Sequence, residues 1–184
     1  MMHRLGLPDD FGALYVCEAS GKYDALHTAA HSLLQEALPL YAGEHGLPVP
    51  SPALVYREDG KPFLAEDCGI YVSLSHCDGM AAVMLSPDVC GVDCEQRRPL
   101  RERVVKRVFA PEEQDALREA DDPDFLFTRL WTLKESYMKA CGLGFALPMN
   151  AFQISLADGI RVSGADDGQD WRFLSFREGE NFCA

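Results

Sequence analysis

Apolar residues recur at two spacings along this 184-residue chain, and each spacing predicts a different kind of element. Over residues 22–42 the spacing is helical and predicts a helix. A second helix is expected over residues 101–119, with a break at Ala110–Pro111. A third is expected to begin at Asp121–Asp122–Pro123, because Asp favours the cap and Pro the first turn, and to end at Gly142.

Short apolar segments bounded by turn residues predict antiparallel strands. Residues 54–64 are typical of two extended segments joined by an Asp-Gly turn, and residues 70–74 and 80–86 are typical of a hairpin. One more short strand is expected over residues 89–95, and residues 151–184 are mostly strand-like. Helices and antiparallel strands in both halves indicate the α+β class.

The order of elements predicts two similar lobes, residues 1–87 and 88–184, which pack together with pseudo-two-fold symmetry. There is no strict sequence repeat, so this symmetry rests on the order of elements alone. Because the two lobes would pair internally, a monomer is expected. The composition, 47% hydrophobic and 25% charged, is that of an ordinary soluble globular protein.

Composition also argues against several classes of protein. No apolar run approaches the ~20 residues that span a bilayer, and the N-terminal segment lacks the regions of a signal peptide. The seven cysteines contain no C-x-x-C pair, which favours reduced thiols over disulfides or a cysteine zinc site. The net charge of −12 is unfavourable for binding nucleic acid or anionic membranes. We therefore expect a cytoplasmic protein without these partners.

Basic residues are concentrated in one short segment of this acidic chain. Six of the eleven residues from Arg97 to Arg107 are Lys or Arg. Such a segment needs either an acidic partner or a structural explanation.

Asp93 and Glu95 are the first candidates for chemistry. Residues two apart in a strand point to the same face, so the two carboxylates would lie side by side. Paired carboxylates make half of a site for a hard cation such as Mg²⁺. An Asp-x-Glu pair also occurs by chance in surface strands, so the pattern needs support from elsewhere in the chain.

The segment from Trp131 to Lys139 is the second candidate. Glu135 and Lys139 are i,i+4 neighbours on the predicted helix, and an ordinary surface ion pair worth roughly 0.3–0.5 kcal/mol is one interpretation. The apolar flanks of this segment argue instead for a largely buried helix whose charges have a function. Glu135 could complete the cation site, and Lys134 and Lys139 could neutralise phosphate oxygens.

Two turn regions offer further phosphate contacts. Ser75 and His76 follow a predicted strand, where they could donate to phosphate oxygens. The alternative is a structural role in the turn, with Ser75 capping it and His76 partly exposed. Gly60–Lys61–Pro62 is a good exposed turn whose lysine could also meet a phosphate. The sequence contains neither a Walker loop nor G-x-G-x-x-G, so a metal and separate basic side chains would have to hold any nucleotide phosphates.

Taken in order, these motifs resemble the 4′-phosphopantetheinyl transferase family, in its larger, pseudo-dimeric type. That family shows a G-K-P turn, an S-H-S motif, a G-[IV]-D-[IV]-E motif and a W-x-x-K-E-[SA]-x-x-K helix. The corresponding segments are Gly60–Pro62, Ser75–Cys77, Gly91–Glu95 and Trp131–Lys139, and the clear resemblance covers about residues 55–165. It implies Mg²⁺-dependent transfer of phosphopantetheine from coenzyme A to a serine of an acidic acyl or peptidyl carrier protein.

The resemblance also implies a role for each matching residue. Those implied to act in catalysis are Glu135, Lys139, Asp93 and His76. Those implied to contact coenzyme A are Lys61, Pro62, Ser75, His76, Lys134 and Lys139. The implied Mg²⁺ ligands are Asp93, Glu95 and Glu135, and Glu135 is also the implied base for the carrier serine.

The chain departs from the family pattern in its N-terminal third. This region is short, and Lys22, His27 and His31 are what it offers to the 3′-phosphate of coenzyme A. Cys77 also replaces the second serine of the S-H-S motif, and Cys94 replaces an aliphatic residue. Two alternatives remain open: a non-catalytic coenzyme A or carrier-binding homologue, and a metal-dependent nucleotide pyrophosphatase.

Overall fold

The computed structural model describes residues 1–142, 147–164 and 169–184. The helices are α1 Tyr23–Glu44, α2 Glu102–Val108, α3 Pro111–Glu119 and α4 Pro123–Cys141, with short 3₁₀ turns at Asp9–Phe11 and Met149–Ala151. The strands are β1 His3–Leu5, β2 Ala13–Cys17, β3 Leu54–Tyr56, β4 Pro62–Leu64, β5 Tyr71–Cys77, β6 Met80–Ser86, β7 Cys94–Gln96, β8 Gln153–Ser155, β9 Arg161–Ser163, β10 Phe176–Glu178 and β11 Asn181–Cys183.

The N-terminal half is built on a four-stranded antiparallel sheet with the order β1-β2-β6-β5. Helix α1 covers one face of this sheet, because its buried residues recur at helical spacing and so form one apolar stripe. Alternation along β5 directs Val72 and Leu74 into that core. Strand β5 is the last strand in this order, so it forms one edge of the sheet.

The opposite face of the same sheet packs against the C-terminal half. Leu14, Val16 and Met84 from the sheet form a core cluster with Val92 and Cys94. Ser73 and Ser75 of β5 also point this way: their hydroxyl oxygens accept hydrogen bonds from the backbone N–H groups of Val92 and Cys94, at 2.9 and 3.1 Å. These bonds attach the segment before β7 to the edge strand.

Helix α4 organises the C-terminal half. It begins where the Asp122 side chain accepts a hydrogen bond from the Phe125 backbone N–H at 3.0 Å, followed by Pro123 in the first turn. It ends at Gly142, whose φ of 66° is the left-handed conformation that glycine favours. Its inner face packs with α2, α3 and β8 in a separate core, and a three-stranded sheet of order β10-β11-β7 lies beside it.

The α+β class with antiparallel sheets is confirmed. The predicted helices and hairpins occur close to the expected bounds, but β5 is longer than expected and includes Ser75 and His76. The strand expected over residues 89–95 forms only at its end, as β7. Strands β1 and β2 were not predicted. The lobe boundaries and the pseudo-two-fold symmetry remain predictions.

Part of the segment that carries the family resemblance, residues 143–146, lies outside the described ranges. Within the described ranges, no helix combines the length and the apolar character needed to cross a membrane.

Candidate active site

Asp93 lies at the centre of the candidate site, where the two halves meet. Its backbone exchanges hydrogen bonds of 2.9 and 3.0 Å with Ala184, next to β11, which fixes the direction of its side chain. The carboxylate is almost fully buried, with 5% of the residue exposed. Its Oδ1 atom accepts hydrogen bonds from Ser75 Oγ at 2.9 Å and from Lys139 Nζ at 2.7 Å. Residues from three elements therefore converge on one oxygen.

Lys139 completes a triangle of contacts. Its Nζ atom also donates to Ser75 Oγ at 2.9 Å. Burial lowers the pKa of this ammonium, but the charge of Asp93 and its hydrogen bond more than offset that effect and raise the pKa above the ordinary value. The side chain is 32% exposed, so a protonated ammonium can still reach a ligand.

The second carboxylate oxygen of Asp93, Oδ2, is buried and has no hydrogen-bond partner within the described residues. A buried carboxylate oxygen without a donor is costly. This atom is therefore a ready acceptor for a cation or a ligand proton.

Glu135 lies one helical turn before Lys139 on α4. Burial and the nearby charge of Asp93 raise the pKa of its carboxyl above the ordinary value, whereas Lys139 and Arg98 oppose the shift. An elevated pKa makes the ionised carboxylate a stronger base.

Glu95 lies on β7, two residues beyond Asp93, and is held by two donors. Trp131 Nε1 donates to Oε1 at 3.1 Å, and the Arg98 guanidinium forms an ion pair with Oε2. The pKa of Glu95 is raised above its ordinary value, because burial and the Asp93 charge outweigh the two donors, which lower it. Asp93 thus raises the pKa of both neighbouring glutamates, as expected where three carboxylates are crowded together.

These carboxylates fit a hard divalent cation by their chemistry. In the described part of the chain, no three His, Cys, Asp or Glu side chains already stand in a geometry that holds a metal ion. Mg²⁺, however, commonly uses one or two carboxylates together with substrate phosphates and water. The unpartnered Oδ2 of Asp93, with Glu135 and Glu95 nearby, is such a donor set.

A cavity of about 310 Å³ opens beside Glu135. Its walls come from the β3–β4 turn, from β5 and from α4, and they include Lys61, Pro62, Glu135 and Lys139. The Lys61 ammonium donates to the backbone carbonyl oxygens of Ala140 and Cys90, and burial lowers its pKa. The Gly60–Pro62 turn, Glu135 and Lys139 therefore share one cavity.

Ser75 and His76 point to opposite faces of β5. Ser75 faces Asp93 and Lys139, whereas the His76 ring lies on the α1 side, 5.2 Å from Tyr23 and 6.1 Å from His27, centroid to centroid. A ligand that touches both residues must cross the edge of the sheet at β5.

Comparison with known proteins shows the family of this chain. The sequence model of the 4′-phosphopantetheinyl transferase superfamily matches residues 89–184, slightly more than half of the chain. The chain belongs to this superfamily. The match contains the carboxylates and α4, whereas the Gly60–Pro62 turn and Ser75–Cys77 precede it.

Relatives of the superfamily are found in several bacteria. A 4′-phosphopantetheinyl transferase of Bacillus subtilis is 30% identical over 109 residues, which cover 58% of this chain and 49% of that protein. The Aneurinibacillus migulanus transferase gsp is 30% identical over 141 residues, 74% and 59% of the two chains. HetI of Nostoc sp. is 35% identical over 128 residues, 65% and 52%. The chain thus spans about half the length of these relatives.

One residue of the superfamily helix motif lies away from the cavity. Lys134 is fully buried, with no exposed surface, and its Nζ atom donates to both Glu113 carboxylate oxygens at 2.9 and 2.8 Å and to the Phe152 carbonyl oxygen at 2.6 Å. Every donor of this ammonium is occupied within the core. In the described geometry the expectation that Lys134 meets phosphate oxygens is therefore wrong, because α4 directs Lys134 and Lys139 to different sides.

Glu113 and Arg98 were not singled out by sequence reasoning. Glu113 also accepts hydrogen bonds from the Ala110 and Ile154 backbone N–H groups, both at 2.7 Å, so it joins α3 to β8. A glutamate three residues after Ala110, at the start of a Pro-initiated helix, is the available signal for its capping role. Arg98 was noted only as part of a basic segment, and it holds Glu95.

Gly91 sets the distance between the Asp93 segment and α4. A Cβ atom on Gly91 would lie 2.1 Å from the Ser136 carbonyl oxygen and 2.5 Å from the Ala140 backbone nitrogen. These are backbone atoms, so only displacement of the helix or of the segment could accommodate it. The glycine of the family motif is thus required for close packing against the helix that carries Glu135 and Lys139.

We expect Gly91→Ala to destabilise the protein by about 1–3 kcal/mol through overpacking and to lower activity by separating Lys139 from Asp93. Urea unfolding would give the free energy of unfolding. Gly43→Ala is the matched control, because its new Cβ meets nothing within 4 Å and lies inside α1, where alanine is about 1 kcal/mol more favourable. Equal free energies of unfolding for the two variants would show that the close contact at Gly91 does not destabilise the alanine variant.

Proposed function

We propose that this chain transfers the 4′-phosphopantetheine group from coenzyme A to a serine of an acyl or peptidyl carrier protein, with Mg²⁺ as the metal. Membership of the superfamily supports this reaction class. The observation that carries the proposal is the contact of Asp93 with Ser75 and with Lys139, a residue of the cavity wall. This contact leaves the second, buried carboxylate oxygen of Asp93 unpartnered.

The reaction forms a bond between the serine oxygen and the β-phosphorus of coenzyme A. It breaks the bond from that phosphorus to the bridging oxygen, so 3′,5′-ADP leaves with the electron pair. The serine must lose a proton, and negative charge grows on the leaving phosphate. The site therefore needs one base and one source of positive charge.

Glu135 suits the role of base. It lines the cavity, and its raised pKa increases its affinity for the serine proton. Lys139 suits the second role, since its raised pKa favours the protonated ammonium and its partly exposed side chain lines the same cavity. Asp93 and Ser75 would act by positioning, because their hydrogen bonds fix Nζ before a ligand arrives.

Asp93, Glu95 and Glu135 are the residues that would hold Mg²⁺. When bound, the ion would neutralise oxygens of the pyrophosphate. Glu95 would be kept in place by Trp131 and Arg98. The oxygen donors, the unpartnered Oδ2 and the raised pKa values of both glutamates support this assignment.

The rest of coenzyme A would extend along the β5 edge. Pro62 and Lys61 line the cavity on one side, and Ser75 and His76 are reached from the edge. We propose Ser75 and His76 as contacts for the coenzyme A phosphates, and Lys61 and Pro62 as contacts for the nucleotide end. Lys22, His27 and His31 stay the candidates for the 3′-phosphate.

We also propose that residues 1–87 and 88–184 form two lobes with the site at their junction. The contributions of β5 from one side and of Asp93 and α4 from the other support this division. We expect a monomer that acts in the cytoplasm, and the seven free cysteines are consistent with a reducing compartment.

The decisive experiment incubates the protein with Mg²⁺, coenzyme A and several apo carrier proteins, and measures the carrier mass. Transfer predicts a mass gain of one phosphopantetheine on a serine, together with release of 3′,5′-ADP. Hydrolysis of coenzyme A without a change in any carrier would support the pyrophosphatase alternative. Binding of coenzyme A without turnover would support the non-catalytic alternative.

The basic outer face of α2 is the proposed contact for an acidic carrier. Arg103 and Arg107 are exposed, while Val105 and Val108 face the core. Arg98 is unsuitable for a test because it holds Glu95. We expect Arg103→Glu with Arg107→Glu to raise the KM for the carrier several-fold and leave the KM for coenzyme A unchanged, since opposite charges steer association.

Steady-state kinetics with both substrates would measure this effect. Arg161→Glu is the control, because it reverses an exposed charge on a different element, β9. Carrier kinetics that change no more in the double variant than in the control would exclude α2 as the docking face.

A further inference from the structure

Three of the five histidines lie together outside the carboxylate cluster. His27 and His31 are one turn apart on α1, and His76 faces them from β5. His27 is exposed and the other two rings are half-buried. The proposed transfer assigns no metal to these rings.

The spacing of the two helical rings matches that of a metal chelate. The Nε2 atoms of His27 and His31 lie 3.2 Å apart, with ring centroids 4.3 Å apart. Two nitrogens bound at 2.0–2.1 Å to a tetrahedral ion are about 3.3 Å apart. The two side chains therefore already hold the separation that chelation requires, on a helix whose i,i+4 positions share a face.

At 3.2 Å the two Nε2 atoms are also within hydrogen-bonding distance, so chelation requires both rings to carry their proton on Nδ1. Burial, followed by the charges of His27 and His76, lowers the pKa of His31. Burial, His27 and Lys139 lower the pKa of His76. Neutral imidazole is the form that binds metals, and a lowered pKa favours that form in His31 and His76.

We propose that His27 and His31 chelate a transition-metal ion of the Zn²⁺ class at the surface of α1. His76 is the nearest further nitrogen donor, with its ring centroid 6.1 Å from that of His27. The described side chains do not yet form a three-ligand cluster. Water, or His76 after a ring rotation, would therefore complete the coordination shell.

This site differs in chemistry from the proposed Mg²⁺ site. Imidazole nitrogens favour zinc, copper and nickel, whereas carboxylate oxygens favour magnesium. The two sites lie on opposite faces of β5, next to each other in sequence through Ser75 and His76. An ion on the α1 side would sit at the edge that coenzyme A is proposed to cross.

The test is a calorimetric titration of the metal-free full chain with ZnCl₂, without coenzyme A or carrier, so its result does not depend on the proposed transfer. We expect one ion per chain. His27→Gln and His31→Gln should each weaken binding at least about tenfold, because even second-layer partners of a metal contribute 10–100-fold. His45→Gln, an exposed histidine at the other end of α1, should bind as the unaltered chain does.

Titration with CoCl₂ identifies the donor atoms by visible absorption. Nitrogen ligation without a thiolate-to-metal charge-transfer band supports the proposal. Such a band would place the ion on cysteines and overturn it. Absence of zinc binding in the unaltered chain, or unchanged binding when His27→Gln and His31→Gln are combined, would overturn it as well. Circular dichroism of each variant confirms that the fold is retained.

Discussion

Glu135→Gln is expected to lower the rate of carrier modification by about 10²–10⁴-fold, because glutamine cannot accept the serine proton. The amide has nearly the same shape as the carboxyl, so the fold should be retained. Because Glu135 is also a proposed Mg²⁺ ligand, the rates are compared at saturating Mg²⁺ and coenzyme A. The measurement is single-turnover transfer, followed by carrier mass. Glu112→Gln is the control, since Glu112 is exposed on α3. A rate within about tenfold of the unaltered chain would refute the role of Glu135 as base.

The pH dependence gives a second, independent measurement of the same group. Glu135 acts only when ionised, and burial and Asp93 raise its pKa. The rate should therefore fall as the pH decreases through the pKa of this carboxyl, and bound Mg²⁺, which favours the ionised form, would move this fall to lower pH. Protonation of Glu95, whose pKa is also raised, can contribute to the same decrease of the rate at low pH. In Glu135→Gln the decrease of the remaining rate at low pH should be smaller, because the contribution of Glu135 to that decrease is absent.

Lys134→Met is expected to have the largest effect on stability, a loss of about 3–5 kcal/mol in the free energy of unfolding. It would leave the Glu113 carboxylate buried without its counter-charge, since Lys134 and Glu113 are 0% and 1% exposed. Urea unfolding monitored by circular dichroism gives the value. Lys106→Met, on the exposed face of α2, should remain within about 0.5 kcal/mol.

A double variant separates the ion pair from simple packing. Glu113→Gln combined with Lys134→Met removes both charges, so the combined loss should be smaller than the sum of the two single losses. Normal stability of Lys134→Met together with weaker coenzyme A binding would contradict the buried pair. That result would restore the original expectation that Lys134 contacts phosphate.

Local sequence signals were sufficient for much of the fold. The bounds of α4 follow from Asp122, Pro123 and Gly142, and each of these residues acts through its own backbone or side chain. Strand β2 was missed because its buried run shows no alternation: it lies between β1 and β6 and packs on both faces. Its assignment depends on partners distant in the sequence.

The candidate site was predictable as a set of residues but not as a geometry. Alternation predicted that Asp93 and Glu95 lie on one face, and burial together with the charge of Asp93 raises the pKa of Glu95. The different surroundings of Lys134 and Lys139 could not be read from helical spacing. They depend on Glu113 and Asp93, which approach α4 from elements 21 and 46 residues away in the chain.

The unpartnered oxygen of Asp93 implies a trade-off between stability and readiness to bind. Crowded carboxylates and a buried acceptor without a donor make the ligand-free protein less stable than its packing would otherwise allow. An ion or ligand that satisfies them binds only the folded chain, so it returns this lost stability in proportion to its concentration. The melting temperature of the chain should then rise with the concentration of these ligands. The protein would be most resistant to unfolding and proteolysis in its ligand-bound state.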